Sequence, residues 1–198
     1  PLISPLLAVL KNHAWPEAQA AAAATIRNLS VSAENKPKLQ AKGALAALMP
    51  LLRGGAAPPS SGGDAASRQE DERVQMITAE IQEHASVAVR NLSLDSAQED
   101  KVVEEGGLPS LIAMLKLEKS AEKSAEQALV VLRNLSLTSA GNCKRIAAEG
   151  GVRPVLSLLQ STKEELKEHA LVIVVAMAEA TPDIRSQIVA EGGIKLIL

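Results

Sequence analysis

One five-residue phrase occurs three times in this chain of 198 residues, as RNLSV at 27–31 and as RNLSL at 90–94 and 133–137. Each copy matches the N-glycosylation acceptor pattern Asn-x-Ser/Thr. Repetition at regular spacing also marks a chain built from repeated structural units. Gly-Gly doublets recur in the same manner, at 106–107, 150–151 and 192–193. This double recurrence constrains the fold more than any other feature, because it indicates one unit used several times.

The sequence around each doublet repeats as well, and Asn91 and Asn134 lie 43 residues apart. The matching stretches are LQAKGALAALMPLL (39–52), VVEEGGLPSLIAMLK (102–116), IAAEGGVRPVLSLLQ (146–160) and IVAEGGIKLIL (188–198). The opening PLISPLLAVLKN matches only the second half of a unit. We therefore predict one array over 1–198, cut from a longer one, with a partial repeat at 1–30, repeats at 31–93, 94–136 and 137–180, and a partial repeat at 181–198.

Each unit is predicted to contain three helices. The short first helices end at glycine, which tolerates the left-handed conformation of a helix stop, and they cover 34–42, 98–105, 141–149 and 183–191. The second helices carry Leu and Val at helical spacing, at 45–52, 108–116 and 152–160. The third and longest helices cover 17–30, 74–93, 121–136 and 164–180. With no Phe, no Tyr and one Trp, the core must be built from Ala, Leu, Val and Ile, which favours an all-α fold.

One interval departs from the repeat spacing: Asn28 and Asn91 lie 63 residues apart, whereas Asn91 and Asn134 lie 43 apart. The excess is RGGAAPPSSGGDAASRQEDER at 53–73, whose composition is typical of a flexible loop. The tail QEDERVQM is expected to begin the next helix, which places acidic residues near the positive end of that helix. A tolerated surface loop and a regulatory segment, phosphorylated at Ser60, Ser61 or Ser67, both remain open.

The phrase from Glu126 to Leu159, EQALVVLRNLSLTSAGNCKRIAAEGGVRPVLSLL, resembles the armadillo repeat. The resemblance extends over the chain outside 53–73. It implies a right-handed superhelical α-solenoid of about four units, partial at both ends. On this interpretation the Asn-Leu-Ser phrase ends each third helix, and its match to the glycosylation pattern is incidental.

The resemblance also implies a binding surface, since the third helices of such arrays line a concave face. A carboxamide both donates and accepts hydrogen bonds, so it can hold a peptide backbone regardless of the peptide's side chains. Asn28, Asn91 and Asn134 would form this ladder, and Ala176 takes the fourth position. An alternative is that each Asn braces its own repeat. Arg27, Arg90 and Arg133 precede the ladder and would pair either with acidic or phosphorylated partners or with Glu of an adjacent repeat.

A second polar row lies on the same helices. Seven residues before the ladder are His84, Gln127 and His169, and eight before it are Glu83, Glu126 and Glu168. A spacing of seven residues returns to the same helix face. Because Gln127 interrupts the histidines and no third ligand has metal spacing, we interpret the row as polar groove lining, with no metal.

The import receptors of this family carry Trp one helical turn before the Asn, where this chain has Ala24, Val87 and Val130. The Arg-Asn-Leu-Ser motif is more similar to the catenin and scaffold branches of the family. We therefore expect a protein-interaction scaffold that binds an extended peptide of a partner protein. The alternative is an architectural or targeting segment of a larger protein, such as a ubiquitin ligase or a membrane-anchored scaffold, whose activity lies elsewhere.

Charge and composition argue against other classes of function. A net charge of −2 and a pI near 6.0 provide no basic footprint for nucleic acid. The lone Cys143 allows no disulfide framework, so we expect the cytoplasm, or the nucleus. The apolar run ALVIVVAMA (170–178) is too short to span a membrane. No nucleophile, base or phosphate-loop pattern points to an enzyme, a cofactor or a small-molecule substrate.

Overall fold

The computed structural model describes residues 2–53, 65–93, 101–115 and 122–197, the side chains of 53, 122–124 and 197 excepted. Every regular element in these ranges is helical, so the prediction of an all-α fold is confirmed. The chain divides into two compact units, which we call the first unit (Pro1–Leu92) and the second unit (Ser93–Leu198). The division falls next to the predicted repeat boundary at residue 93.

The first unit contains five α-helices and one 3₁₀ helix among its described residues. They are α1 (Ile3–Leu10), α2 (Pro16–Leu29), α3 (Lys36–Ala41), α4 (Ala44–Leu48), the 3₁₀ helix (Met49–Arg53) and α5 (Ala65–Leu92). Helix α5 packs against α2, α4 and the 3₁₀ helix, while α1 contacts α2 and α4. Their interface is filled by the side chains of Leu10, Ile26, Leu39, Leu48, Leu52 and Leu92.

The second unit begins its described part with helical residues 101–104. Its further helices are α6 (Gly107–Met114), α7 (Glu122–Thr138), α8 (Ala140–Ala148), α9 (Val152–Leu158), α10 (Glu164–Ala180), α11 (Pro182–Ala190) and α12 (Gly193–Ile197). Helix α10 is central, because it contacts α7, α8, α9 and α11. Fully buried side chains include those of Leu111, Met114, Leu129, Leu132, Leu135 and Ile146, each of which contributes about 1.5–3 kcal/mol by leaving water.

Local signals in the sequence account for the helix ends. Thr181 caps α11 by accepting a hydrogen bond from the Ile184 amide, and Pro182 occupies the first helical position, where no amide bond is lost. The first helices end at Gly43, Gly106, Gly150 and Gly192, whose φ angles lie between 72° and 83°. The predicted left-handed glycine stops are therefore confirmed.

The predicted loop over 53–73 is wrong at its two ends, since residue 53 closes the 3₁₀ helix and α5 begins at Ala65, nine residues before the predicted bound at 74. The prediction that QEDERVQM begins the next helix is confirmed, although that helix starts four residues before Gln69. The stretch ASRQEDER is made largely of good helix formers, which extend a helix that Ile81, Ala85 and Val89 already anchor in the core. Residues 54–64, with Ser60 and Ser61, lie outside the described residues, whereas Ser67 lies within α5.

Candidate functional site

The three ladder residues lie near the C-terminal ends of α2, α5 and α7, in different surroundings. Asn28 is exposed and Asn134 is half-buried. Within the described part of the chain, neither carboxamide has a hydrogen-bond partner. Both side chains can therefore donate and accept toward a ligand.

Asn91 is engaged inside the protein. Its side chain is 7% exposed, its Nδ2 donates to Ser30 Oγ at 3.0 Å, and its Oδ1 accepts from Arg90 Nη2 at 3.3 Å. Ser30 in turn donates to the Arg27 carbonyl at 2.6 Å. The Asn91 carboxamide thus joins α5 to the end of α2. It braces one predicted repeat against the preceding one, whereas the alternative had each Asn brace its own repeat.

The serine of the repeated phrase is a structural position that the sequence analysis did not single out. Ser30, Ser93 and Ser136 are all buried. In two copies the hydroxyl donates to the carbonyl of the arginine three residues earlier, Ser30 to Arg27 and Ser136 to Arg133. The recurrence of serine at the same position of all three phrases was the available signal.

The three arginines also differ. Arg27 Nη1 lies 3.2 Å from His84 Nδ1, which joins α2 to α5. Arg90 donates to its neighbour Asn91. Arg133 Nε is buried and lacks a hydrogen-bond partner among the described residues.

The side chains of the second polar row have partners in the first unit and lack them in the second. In the first unit, His84 Nδ1 contacts Arg27, and its Nε2 lies 3.5 Å from Glu80 Oε1. In the second unit, Gln127 Oε1 and His169 Nδ1 are buried without a partner among the described residues. The acidic residues before them are half-buried at Glu83 and Glu126 and exposed at Glu168. The third helices of the second unit therefore carry buried polar atoms that lack a partner among the described residues.

Two cavities of the second unit lie away from these residues. One of about 330 Å³ is lined by Val103, Gly106, Leu108, Pro109, Arg145, Ala148 and Glu149. Another, of about 710 Å³, is lined by Gly150, Arg153, Ala190, Glu191 and Gly192. Their linings come from the turns and helices between the third helices and lack the ladder residues.

The described residues contain neither a helix of the length and apolarity that crossing a membrane requires nor a cluster of three metal-binding side chains.

Cys143 is packed against the end of α7, with its Sγ 3.2 Å from the Ser136 carbonyl, to which it donates. Burial raises the pKa of the Cys143 thiol above its ordinary value, and a hydrogen bond from the backbone amide of Cys143 itself opposes this only in part. A raised pKa in the folded state means that this thiol favours folding below its unfolded pKa. That contribution is lost as the pH rises through the folded pKa.

We therefore expect Cys143 to react slowly with Ellman's reagent at pH 8 in the native protein. The rate should be at least about tenfold lower than in denaturing urea, because the thiolate is disfavoured and shielded. Cys143 is the single cysteine, so the absorbance reports one site. Equal rates in the two conditions would show that the thiol is accessible.

Comparisons with known proteins agree with this fold. The family model for the armadillo/β-catenin-like repeat matches residues 95–137. Vacuolar protein 8 of Candida albicans is 30% identical over 115 residues, which are 58% of this chain. The match spans only 19% of that relative's length.

Solved structures with the same architecture include a computationally designed armadillo repeat protein for modular peptide recognition. It is 21% identical, with a TM-score of 0.77 over 98% of this chain and 72% of that one. A designed armadillo repeat protein in complex with the peptide (KR)4 is 16% identical, with a TM-score of 0.58 over 99% of this chain and 90% of that one. The armadillo resemblance inferred from the sequence is thereby confirmed.

Proposed function

We propose that this armadillo-repeat chain is a protein-interaction module that binds an extended segment of a partner protein along its third helices. The observation that carries the proposal is the state of Asn28 and Asn134. Both carboxamides recur at the same helix position and have no hydrogen-bond partner among the described residues. A free carboxamide at a helix end can hold a peptide carbonyl and amide at once.

Two further observations support the proposal. Gln127 and His169 carry buried polar atoms without partners on α7 and α10, and such atoms cost free energy unless a ligand or water satisfies them. The fourth ladder position, Ala176, carries no carboxamide, so backbone clamping is limited to the earlier third helices. A lone thiol and no disulfide framework fit a reducing compartment, the cytoplasm or the nucleus.

The proposal is tested by selecting a random peptide library displayed on phage against the whole chain. Enriched peptides are then measured on the wild type and on the double variant Asn28→Ala/Asn134→Ala. Each lost carboxamide removes up to two hydrogen bonds of roughly 0.5–1.5 kcal/mol, so we expect affinity to fall at least about tenfold. Helicity by circular dichroism should be unchanged.

Asn35→Ala is the matched control, because Asn35 is the N-cap residue before α3, makes no side-chain cap hydrogen bond and lies outside the third helices. We expect it to bind like the wild type. Enriched peptides that bind the double variant as tightly as the wild type would contradict a ladder site. A library that yields no binder would favour the alternative, an architectural segment of a larger protein.

A further inference from the structure

The two units carry the same set of three side chains on neighbouring third helices. In the first unit the set is Arg27, Glu80 and His84; in the second it is Arg133, Glu165 and His169. In both sets the arginine directly precedes a ladder Asn. The histidine lies on the following third helix, four residues after the glutamate and seven before the next ladder position. The sets are therefore equivalent in the repeat, and their contacts can be compared directly.

The three side chains of the first unit contact one another. A guanidinium can only donate, so the 3.2 Å contact requires His84 Nδ1 to accept from Arg27. The hydrogen of the neutral ring then lies on Nε2, which is 3.5 Å from Glu80 Oε1. Arg27, His84 and Glu80 therefore form a continuous bridge from α2 to α5.

The equivalent side chains of the second unit do not contact one another in this way. Helices α7 and α10 pack together, yet Arg133 Nε and His169 Nδ1 are both buried without a hydrogen-bond partner among the described residues. Within that part of the chain Arg133 forms no ion pair, and Glu165 is exposed and makes none with His169. His169 Nδ1 thus lacks the arginine partner that the equivalent His84 Nδ1 has, and Arg133 Nε also lacks a partner among the described residues.

An oxyanion is well suited to accept hydrogen bonds from unsatisfied buried donors. A carboxylate or phosphate can accept from a guanidinium Nε–H and Nη–H together, and such charge-assisted pairs are about twice as strong as neutral hydrogen bonds. No described donor bonds to His169 Nδ1, so this nitrogen need not act as an acceptor. In the tautomer that carries the hydrogen on Nδ1, His169 can donate to the same anion. The ladder position on the same helix as His169 is Ala176, which has no carboxamide to hold a peptide backbone. A ligand at this helix would therefore be held through its side chain.

We propose that Arg133 and His169 form a subsite for an anionic side chain, a carboxylate or a phosphate, of the bound peptide. The inference rests on the peptide-binding function proposed above and deepens it: Asn28 and Asn134 hold the peptide backbone, and Arg133 with His169 selects an anionic side chain. We expect the equivalent pair to take no anion, because Arg27 Nη1 and His84 Nδ1 already contact each other.

The test uses three ten-residue fluorescein-labelled peptides, alternating Ser with Glu, with Gln, or with phosphoserine, and measures fluorescence anisotropy on the full chain. The Glu peptide should bind wild type at least about tenfold more tightly than the Gln peptide, the scale of one charge-assisted pair. A tighter complex with the phosphoserine peptide than with the Glu peptide would assign the subsite to phosphate, and the reverse order to carboxylate.

Arg133→Gln should remove the difference between the Glu and Gln peptides. Arg153→Gln makes the same change of charge at an exposed residue of α9 in the same unit, and should preserve the difference. Arg27→Gln should preserve it too. A loss caused equally by Arg133→Gln and Arg153→Gln would reduce the effect to overall charge and overturn the subsite.

A site-resolved measurement accompanies the affinities. The Arg133 Nε–H cross-peak in the ¹H–¹⁵N spectrum, assigned by its absence in Arg133→Gln, should shift with the Glu peptide and stay in place with the Gln peptide. If both peptides bind equally, the charge subsite fails and the peptide-binding function stands. If none of the three peptides binds at about 1 mM, a weak-binding limit, the proposed function fails, and the subsite with it.

Discussion

Replacing Gly151 by alanine is expected to lower the free energy of unfolding of the second unit by about 3 kcal/mol, the upper end for overpacking. The Gly151 amide donates to the Ile146 carbonyl at 2.9 Å, which closes the C-terminal turn of α8. An added Cβ would lie 2.8 Å from that carbonyl oxygen and 2.7 Å from Ile146 Cγ2. The backbone oxygen cannot move without breaking the turn, so urea unfolding followed by circular dichroism should show the loss.

Gly150→Ala is the matched comparison. Gly150 has φ +76°, yet a Cβ there would meet nothing within 4 Å. The substitution therefore costs only the left-handed backbone of an L-residue, about 1 kcal/mol. The two neighbouring glycines are thus retained for different reasons, one for its backbone angle and one for a close approach. A larger loss at Gly150 than at Gly151 would refute this assignment.

The helices could largely be predicted from the sequence because their signals are local. Helix α10 covers Glu164–Ala180, the predicted 164–180, since its apolar period and the residues that end it all lie within the segment. The start of α5 could not be predicted this way. Its first turns have no apolar face, and they extend a helix whose core contacts lie farther along the chain. The Arg73–Glu17 ion pair between α5 and α2 is also invisible to local patterns.

The candidate site was predictable in position but not in environment. Recurrence placed Asn28, Asn91 and Asn134 at one register of the third helices, and the structure has all three near helix ends. Whether a carboxamide is free depends on a neighbour remote in sequence. Asn91 faces Ser30, 61 residues away, whereas Asn28 meets solvent. Repeats conserve residue type along the chain, but packing between helices decides which copy is available to a ligand.

Asn91→Ala is expected to destabilise the first unit by about 2 kcal/mol. The substitution removes the donor to Ser30 Oγ at 3.0 Å and leaves that hydroxyl, which is 0% exposed, with one bond fewer. Losing a buried partner costs about 1–3 kcal/mol. Asn28→Ala, in contrast, should change stability by no more than about 0.5 kcal/mol, because the exposed Asn28 carboxamide has no hydrogen-bond partner among the described residues.

A double-mutant cycle with Ser30→Ala separates the hydrogen bond from side-chain size. If the Asn91–Ser30 bond carries the effect, the double variant should be about 1 kcal/mol more stable than the sum of the two single losses predicts. Urea unfolding of the four proteins supplies all the terms. Additive losses would show that Asn91 does not brace α5 to α2. Its carboxamide would then return to the peptide-binding ladder, and Asn91→Ala would be expected to weaken peptide binding together with Asn28→Ala and Asn134→Ala.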